Sequence, residues 1–340
     1  MMHRKSRQIS LVKTDLHSIK VDGVFHHTPV LASFIADALI QNPDGVYVDG
    51  TVGGGGHAAA LLERLSPRGR ILGFDKDSDA VVAVRRRFEG NCQFSVIQSN
   101  FEDIPFQLDH YGISHVHGIL LDLGVSSYQL DTVSRGFSFM TDGPLDMRMD
   151  QSLKTTARDL VNDMTQNELA EVFFVFGEER FARPIARAIV QARSRQPIET
   201  TAQLAEIIRS VVHYGPINKS CARVFQALRI ALNRELDVLQ ATLTPLVSRL
   251  TGGGRLAVLS YHSLEDRIVK QTFQALAKGC VCPSDWPQCV CGKKPAVSFF
   301  AKRMISAPEA EVAKNPRARS AKLRLVERLT DGLTGLPVSI

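Results

Sequence analysis

The chain has 340 residues, 44% of them hydrophobic and 22% charged, and its net charge is +6. That length suits two domains and a sizeable core, and the composition excludes collagen, a coiled coil and wholesale disorder. No run approaches 18 apolar residues and the basic N-terminus lacks the apolar stretch of a signal peptide, so neither a membrane span nor export is expected, which predicts a cytoplasmic protein.

Residues 1–24 are polar and mixed, the pattern of a flexible arm. Beyond Pro29, the residues Val30, Leu31, Phe34, Ile35, Ala38 and Leu39 recur at helical spacing. Short apolar runs at 45–49, 70–75, 94–97 and 118–122 predict strands, with helices between them at 58–65 and 79–88. This alternation predicts a parallel sheet with helical crossovers, an α/β doubly wound, Rossmann-like domain. Residues 125–150 show no regular period. From about 155 to 250 the pattern is helical. Thr165-Gln-Asn-Glu168 and Thr200-Thr-Ala-Gln203 each open a helix; the first has the Glu of a capping box and is closed by Gly177. The second is expected to break near Gly215-Pro216. Residues 223–250 suggest one long helix, bent or broken near Pro245. Strand character returns at 255–260. The expected organisation is a sheet domain from 25–140 and 245–328, an all-helical insert at 141–244, and a frayed tail at 329–340.

Charge is spread unevenly. Residues 1–150 carry net −4, residues 151–250 net +3 and residues 251–340 net +7. A basic last third is suited to an anionic partner such as nucleic acid, although a solvated basic surface gives the same count.

Five constellations carry candidate chemistry. Asp49-Gly-Thr-Val-Gly-Gly-Gly-Gly-His57 stands where a strand passes into a helix, and Asp75 ends the next strand. Glycines there admit a ligand close to backbone, and the acid suits ribose hydroxyls, which indicates an adenosine-type cofactor without choosing between NAD and S-adenosylmethionine. Asp122-Leu-Gly-Val-Ser-Ser-Tyr-Gln-Leu130 ends the fourth strand and points into the same crevice; Asp122 or Ser126 could instead cap a helix. Phe101, after the third strand, could stack on a purine or sit in the core. The irregular stretch 135–149 is either a functional loop or a clamp on the insert. Ser260-Tyr-His-Ser-Leu-Glu-Asp-Arg267 offers His262 as an acid, a base or a packed residue. Asn315-Pro-Arg-Ala-Arg-Ser320 with Lys322 and Arg324 suits phosphates, and the Arg180, Arg183, Arg187 series at helical spacing makes one basic face, which is either a solvated face or part of an anion-binding surface. The last constellation, Cys280-Val-Cys282 and Cys289-Val-Cys291, could hold structural zinc or carry reactive thiols. No catalytic metal is expected.

Together these segments resemble the RsmH (MraW) family, the cytosine-N4 methyltransferases of bacterial small-subunit ribosomal RNA. The matching stretches are His27-Thr-Pro-Val30, 49–57, 118–130, 135–149, 177–182, 225–229, 260–270 and 315–320. The resemblance implies a class I methyltransferase sheet with an inserted helical domain, S-adenosylmethionine as cofactor, and methylation of a 16S ribosomal RNA cytidine in the decoding region at its exocyclic N4. It implies that Gly55, Gly56 and His57 line the cofactor site, that Asp75 holds the ribose, that Phe101 flanks the adenine, and that Asp122 and Gln129 complete the site. Two departures stand out. The family has Ser-Ser-Pro-Gln where this chain has Ser126-Ser-Tyr-Gln129, and a bulkier residue where Gly54 stands. Asp122 and His262 are the expected catalytic groups, with Asp122 near the amine to be methylated. The RNA is expected to lie on the insert and the basic C-terminal stretch. An NAD(P)-dependent oxidoreductase would share the glycines and Asp75 but leave 122–130 and 135–149 unexplained. A non-catalytic RNA-binding protein would have no need of a cofactor crevice.

Overall fold

Short apolar runs that end in a polar residue set the frame of the sheet. In the computed structural model, which describes residues 29–330 except 214, 215, 281, 284, 285, 289 and 302, these runs are β1 (Val46–Asp49), β2 (Arg70–Asp75), β3 (Phe94–Gln98) and β4 (Val116–Asp122). They are followed by β5 (Leu250–Ser260), β6 (Val297–Phe299), β7 (Ile305–Ser306) and β8 (Lys322–Arg328). The expected arm 1–24, His27 and Thr28 of the first matching stretch, Gly215, Cys289 and tail residues 331–340 lie outside the described residues.

The sheet order is β3-β2-β1-β4-β5-β8-β6, with β7 also paired to β8. Strands β1 to β5 are parallel, and β8 runs antiparallel to β5. From β1 the chain builds outward to β2 and β3, then returns to place β4 and β5 on the other side. The strand order therefore reverses between β1 and β4, where open α/β sheets bind ligands beyond their carboxyl ends. Asp49, Asp75 and Asp122 all stand at such ends.

Both faces of the central strands are covered. Ile119 and Leu121 of β4 join one apolar cluster with Val48, Phe74 and Phe273, whereas Leu120 joins the opposite cluster with Tyr47, Ile71 and Leu323. All are fully buried, which explains why these strands are continuous apolar runs rather than alternating ones. Each such aliphatic side chain contributes roughly 1.5–3 kcal/mol.

The helices between β4 and β5 have a core of their own, with Met147, Val161, Phe173, Ile189, Ile208 and Leu228 fully buried in it. The expected capping box at Thr165/Glu168 is present, and Thr200, expected to open a helix, does so with a capping box to Gln203. The expected long helix over 223–250 is instead two, Ile217–Asn233 and Glu235–Ser248. The break falls at Arg234, in the left-handed region at φ 51°, and not at Pro245, which stands inside the second helix. Leu239, Leu243, Leu246 and Val247 of that helix pack on the sheet, and the helix continues to Ser248 despite the missing Pro245 N–H. The helix Glu235–Ser248 thus packs with the sheet, and the insert's own core ends before Arg234 rather than at 244.

The irregular stretch 135–149 is the clamp between the two parts. Arg135, 5% exposed, reaches Asp77 Oδ2 and Asp79 Oδ2 at 2.9 Å each, and donates to the Arg148 and Met149 carbonyls. Asn233, at the end of its helix, donates to the Met147 carbonyl and accepts from the Met149 N–H, both at 2.9 Å. Gly136, at φ 68°, has no room for a Cβ, which would meet the Pro144 carbonyl at 2.1 Å.

Candidate active site

The carboxyl ends of β1, β2, β4 and β5 open into one cavity of about 660 Å³, within the range of pockets that take small ligands. Of the sequence-predicted residues, Gly56, His57, Asp75, Phe101, Asp122, Gln129 and His262 line it. Gly55 does not. It is the N-cap of the helix Gly56–Leu62 at φ 75°, and a Cβ there would meet Phe88 at 2.7 Å. Its part is to let the turn pack against the helix Ser78–Arg87, leaving Gly53, Gly54 and Gly56 to face the cavity.

Asp75 is held in place by backbone. Its Oδ2 accepts from Gly53 N–H and its Oδ1 from Asp77 N–H, each at 2.9 Å. Burial pushes its carboxyl up to about 6. Free lone pairs on both oxygens suit a vicinal diol. Phe101 packs against the sheet cluster and also lines the cavity.

Gln129 lines the cavity and is also tied into the fold. Its Oε1 accepts from Ser126 N–H in a capping box, and its Nε2 donates to Asp77 Oδ2 at 2.7 Å. Being 5% exposed, it positions the 126–131 turn and ties it to the end of β2.

Asp122 is the centre of the polar network. Its Oδ1 accepts from the Tyr261 hydroxyl at 2.7 Å, and its Oδ2 lies 3.3 Å from His57 Nε2 in an ion-pair contact without hydrogen-bond alignment. Thr51 Oγ1 fixes its backbone N–H. Burial pushes Asp49 up to about 7. Burial opposes charge on His57, but Asp122 and then Asp49 outweigh it and raise its pKa. Burial, then the Asp122 charge, raises Tyr261 well above its usual value, so Tyr261 is a neutral donor and not a base.

His262 is foremost a cap. Its Nδ1 accepts from Glu265 N–H at 3.4 Å at the start of the helix Ser263–Ala277, and its Nε2 lies 3.2 Å from Glu265 Oε1. It still lines the cavity. The buried atoms without an aligned partner include Asp49 Oδ2, His57 Nδ1, Asn100 Oδ1 and His262 Nε2. All but Asp49 belong to lining residues, so the cavity wall carries polar groups that a ligand can satisfy.

Tyr261, Glu265 and Asp77 had no assigned role in the sequence. The signal for Tyr261 was available: it follows β5 as Leu123 follows β4, at the same rim. The basic C-terminal stretch is partly spent within the fold. Lys322 and Arg324 pair with Asp266 at 3.4 and 2.7 Å, and Arg317 pairs with Asp131 at 2.9 Å. Arg180, Arg183 and Arg187 are exposed, the latter two on a helix that buries Ile185, Ala186 and Ile189.

A family model described as the MraW methylase family matches residues 24–329. Proteins named ribosomal RNA small subunit methyltransferase H align over nearly their whole length. That of Geobacter sulfurreducens is 48% identical over 309 residues, covering 90% of this chain and 99% of its own. That of Heliobacterium modesticaldum is 45% identical over 311 residues, with the same coverage of each. A solved rRNA methylase from Streptococcus thermophilus aligns at 13% identity over 88% of this chain and 93% of that one, with a TM-score of 0.36; at that score the strand order, not the superposition, defines the fold. Among the described residues no helix is long and apolar enough to cross a membrane.

Proposed function

The chain belongs to the MraW methylase family, and from that premise we propose that it transfers a methyl group from S-adenosylmethionine to the exocyclic N4 of a cytidine in the decoding region of 16S ribosomal RNA. It is a methyltransferase with the class I sheet, and small-subunit ribosomal RNA is its substrate class. The observation that carries the finer reading is the Asp122 carboxylate, held between Tyr261 and His57 at the rim of the cavity.

The cavity fits the cofactor. Asp75 offers acceptors for the ribose hydroxyls, Phe101 a flat face for the adenine, and Gly53, Gly54 and Gly56 a close backbone approach beside His57. Carboxylates around the cavity suit a ligand that carries positive charge. When bound, S-adenosylmethionine supplies an activated methyl group on sulfonium. What remains for the protein is positioning, exclusion of water and handling of one proton.

The cytosine amine is a weak nucleophile because its lone pair is delocalised into the ring. Asp122 accepts a hydrogen bond from that amine, which draws the lone pair back to nitrogen, and receives its proton as the new N–C bond completes. Tyr261 holds the carboxylate oriented by donating to Oδ1. His262 and the helix it caps form the adjacent wall. The target base leaves its stack to enter the cavity, an unstacking that costs a few kcal/mol. Arg180, Arg183 and Arg187 grip the flanking phosphates.

The test is transfer of labelled methyl from S-adenosylmethionine to small ribosomal subunits from cells lacking this protein, followed by nucleoside analysis. N4-methylcytidine is the expected product. Label on another atom would overturn the cytidine-N4 reading, and no label on subunits or free RNA would overturn the transferase reading for this substrate.

A further inference from the structure

Residues 278–295 leave the sheet domain and return to it. The excursion starts after the helix Ser263–Ala277 and ends at β6, and its base is closed by a hydrogen bond from Ala296 N–H to the Leu276 carbonyl at 2.8 Å. No described residue between 278 and 295 is buried. Trp286 is 51% exposed and Val290 71%. The described residues of this segment form no regular structure and no apolar core, so they have little of their own to hold one conformation. Nevertheless Cys280, Cys282 and Cys291 converge, their sulfurs all lying within 4.8 Å of one another.

We propose that Cys280, Cys282 and Cys291 are thiolate ligands of a structural zinc ion that staples this excursion. The Cys280–Cys291 Sγ separation is 3.8 Å. Tetrahedral zinc with Zn–S bonds of about 2.3 Å sets its sulfurs about 3.8 Å apart, whereas a disulfide brings them to about 2.05 Å. Cys282 N–H points to Cys280 Sγ at 3.4 Å, a contact that favours the thiolate. Lys278, Lys293 and Lys294 flank the cluster in sequence, and Lys293 is anchored on the Ala275 carbonyl at 3.1 Å. Their charge offsets the negative charge that accumulates as each thiol gives up its proton to solvent on binding metal. Gly292, at φ 61°, turns the chain directly after Cys291. None of the three cysteines lines the methyl-transfer cavity, which sets the ion apart from the methyl transfer.

The chain's only tryptophan is Trp286, inside the excursion, which gives a local optical reporter. The experiment uses the full chain purified without chelator. Zinc is quantified by elemental mass spectrometry, and the protein is then stripped under reducing conditions and titrated with cobalt(II). The expected results are about one zinc per chain, a thiolate-to-cobalt charge-transfer band whose intensity counts three or four sulfurs, and a Trp286 emission change on stripping that zinc reverses. Cys280→Ser and Cys291→Ser should lose stoichiometric metal, whereas Cys92→Ser should retain it. Because zinc content and cobalt spectra are read on the unaltered chain, poor folding of a variant does not decide the matter. Absence of both stoichiometric zinc and a charge-transfer band in the reduced chain would overturn the proposal. So would a Cys280–Cys291 disulfide in the freshly purified chain that persists with zinc present.

Discussion

Tyr261 and Asp122 meet across the ends of two paired strands, the phenol donating to the carboxylate at 2.7 Å. Hydrogen bonds to a charged group are worth about 1.5–3 kcal/mol. Tyr261→Phe should therefore lower turnover on the order of 10- to 100-fold while leaving affinity for S-adenosylhomocysteine within about threefold. Steady-state kinetics beside calorimetric binding separates the two. Unchanged turnover would remove Tyr261 from the reaction.

Asp75 predicts a pH dependence of cofactor binding. Burial holds its carboxyl near 6, and its ionised form is the better acceptor for two hydroxyls. Affinity for S-adenosylhomocysteine should rise as pH increases toward about 6 and level off above it. In Asp75→Ala affinity should be roughly 10- to 100-fold weaker, as expected for lost bonds to a charged group, and flat across that range. Calorimetry from pH 5 to 8 checks both; a wild-type profile without an inflection near 6 counts against the ribose role.

Stability should have an acidic optimum. Asp49 and Asp75 are raised to about 7 and about 6 from 3.8, and His57 is raised from 6.5. The folded chain therefore binds protons that the unfolded chain has released. The carboxyl contributions are complete below 3.8 and lost as pH rises to about 6 and 7; that of His57 is complete below 6.5 and lost above it. Glu265 and Asp266, both lowered, act in the opposite sense, losing stability as pH falls through their folded values. The melting temperature should accordingly fall between pH 5 and 8, and Asp49→Asn should flatten that slope. A melting temperature that climbs through this window would refute the reading.

Arg135 tests the clamp. Removing it leaves Asp77, 1% exposed, without its cation, and breaking a buried pair costs about 3–5 kcal/mol. Arg135→Leu should lower the urea midpoint by that equivalent. Arg135→Lys should rescue it only in part, since an ammonium cannot serve two carboxylates and two carbonyls with a planar fork. A loss below about 1 kcal/mol in Arg135→Leu, the scale of an exposed pair, would mean the contact is not a clamp.

Arg183 and Arg187 test the RNA face. Reversing both to Glu should weaken binding to ribosomal RNA and reduce the salt dependence of what remains, with cofactor affinity unchanged. Filter binding across a salt series measures this, and an unaltered slope would place the RNA elsewhere.

The first four strands and the glycine turn are legible in the sequence because apolar runs, glycines and strand-end acids are local signals. Part of β5 is legible too, over 255–260, but β6 to β8 are not. Lys322-Leu-Arg-Leu325 alternates with period two but the pattern breaks at Val326, and its cations suggest a phosphate grip until Asp266 is seen to pair with Lys322 and Arg324. Arg135 is one arginine in an irregular stretch, and nothing in periodicity reveals that it is buried. The helix break at Arg234 was masked by Pro245, whose usual effect is overridden by the leucines that pin its helix to the sheet. The site shows the same division. Asp75 and Asp122 follow from position and His57 from the family resemblance, whereas the tie of Gln129 to Asp77 depends on a contact between distant segments, and the capping role of His262 rests on a local contact with Glu265 that a histidine does not advertise.

The place of β8 between β5 and β6 orders events during synthesis. A nascent chain completes the insert, with its separate core, well before β8 has been made. Until then β5 presents an open edge, the kind of surface that recruits stray strands. A chain cut after Ser320 is accordingly expected to protect the insert's amides from hydrogen exchange, to leave unprotected those β5 amides that face β8 rather than β4, and to aggregate. Equal protection in both parts would show that the sheet closes without its antiparallel strand.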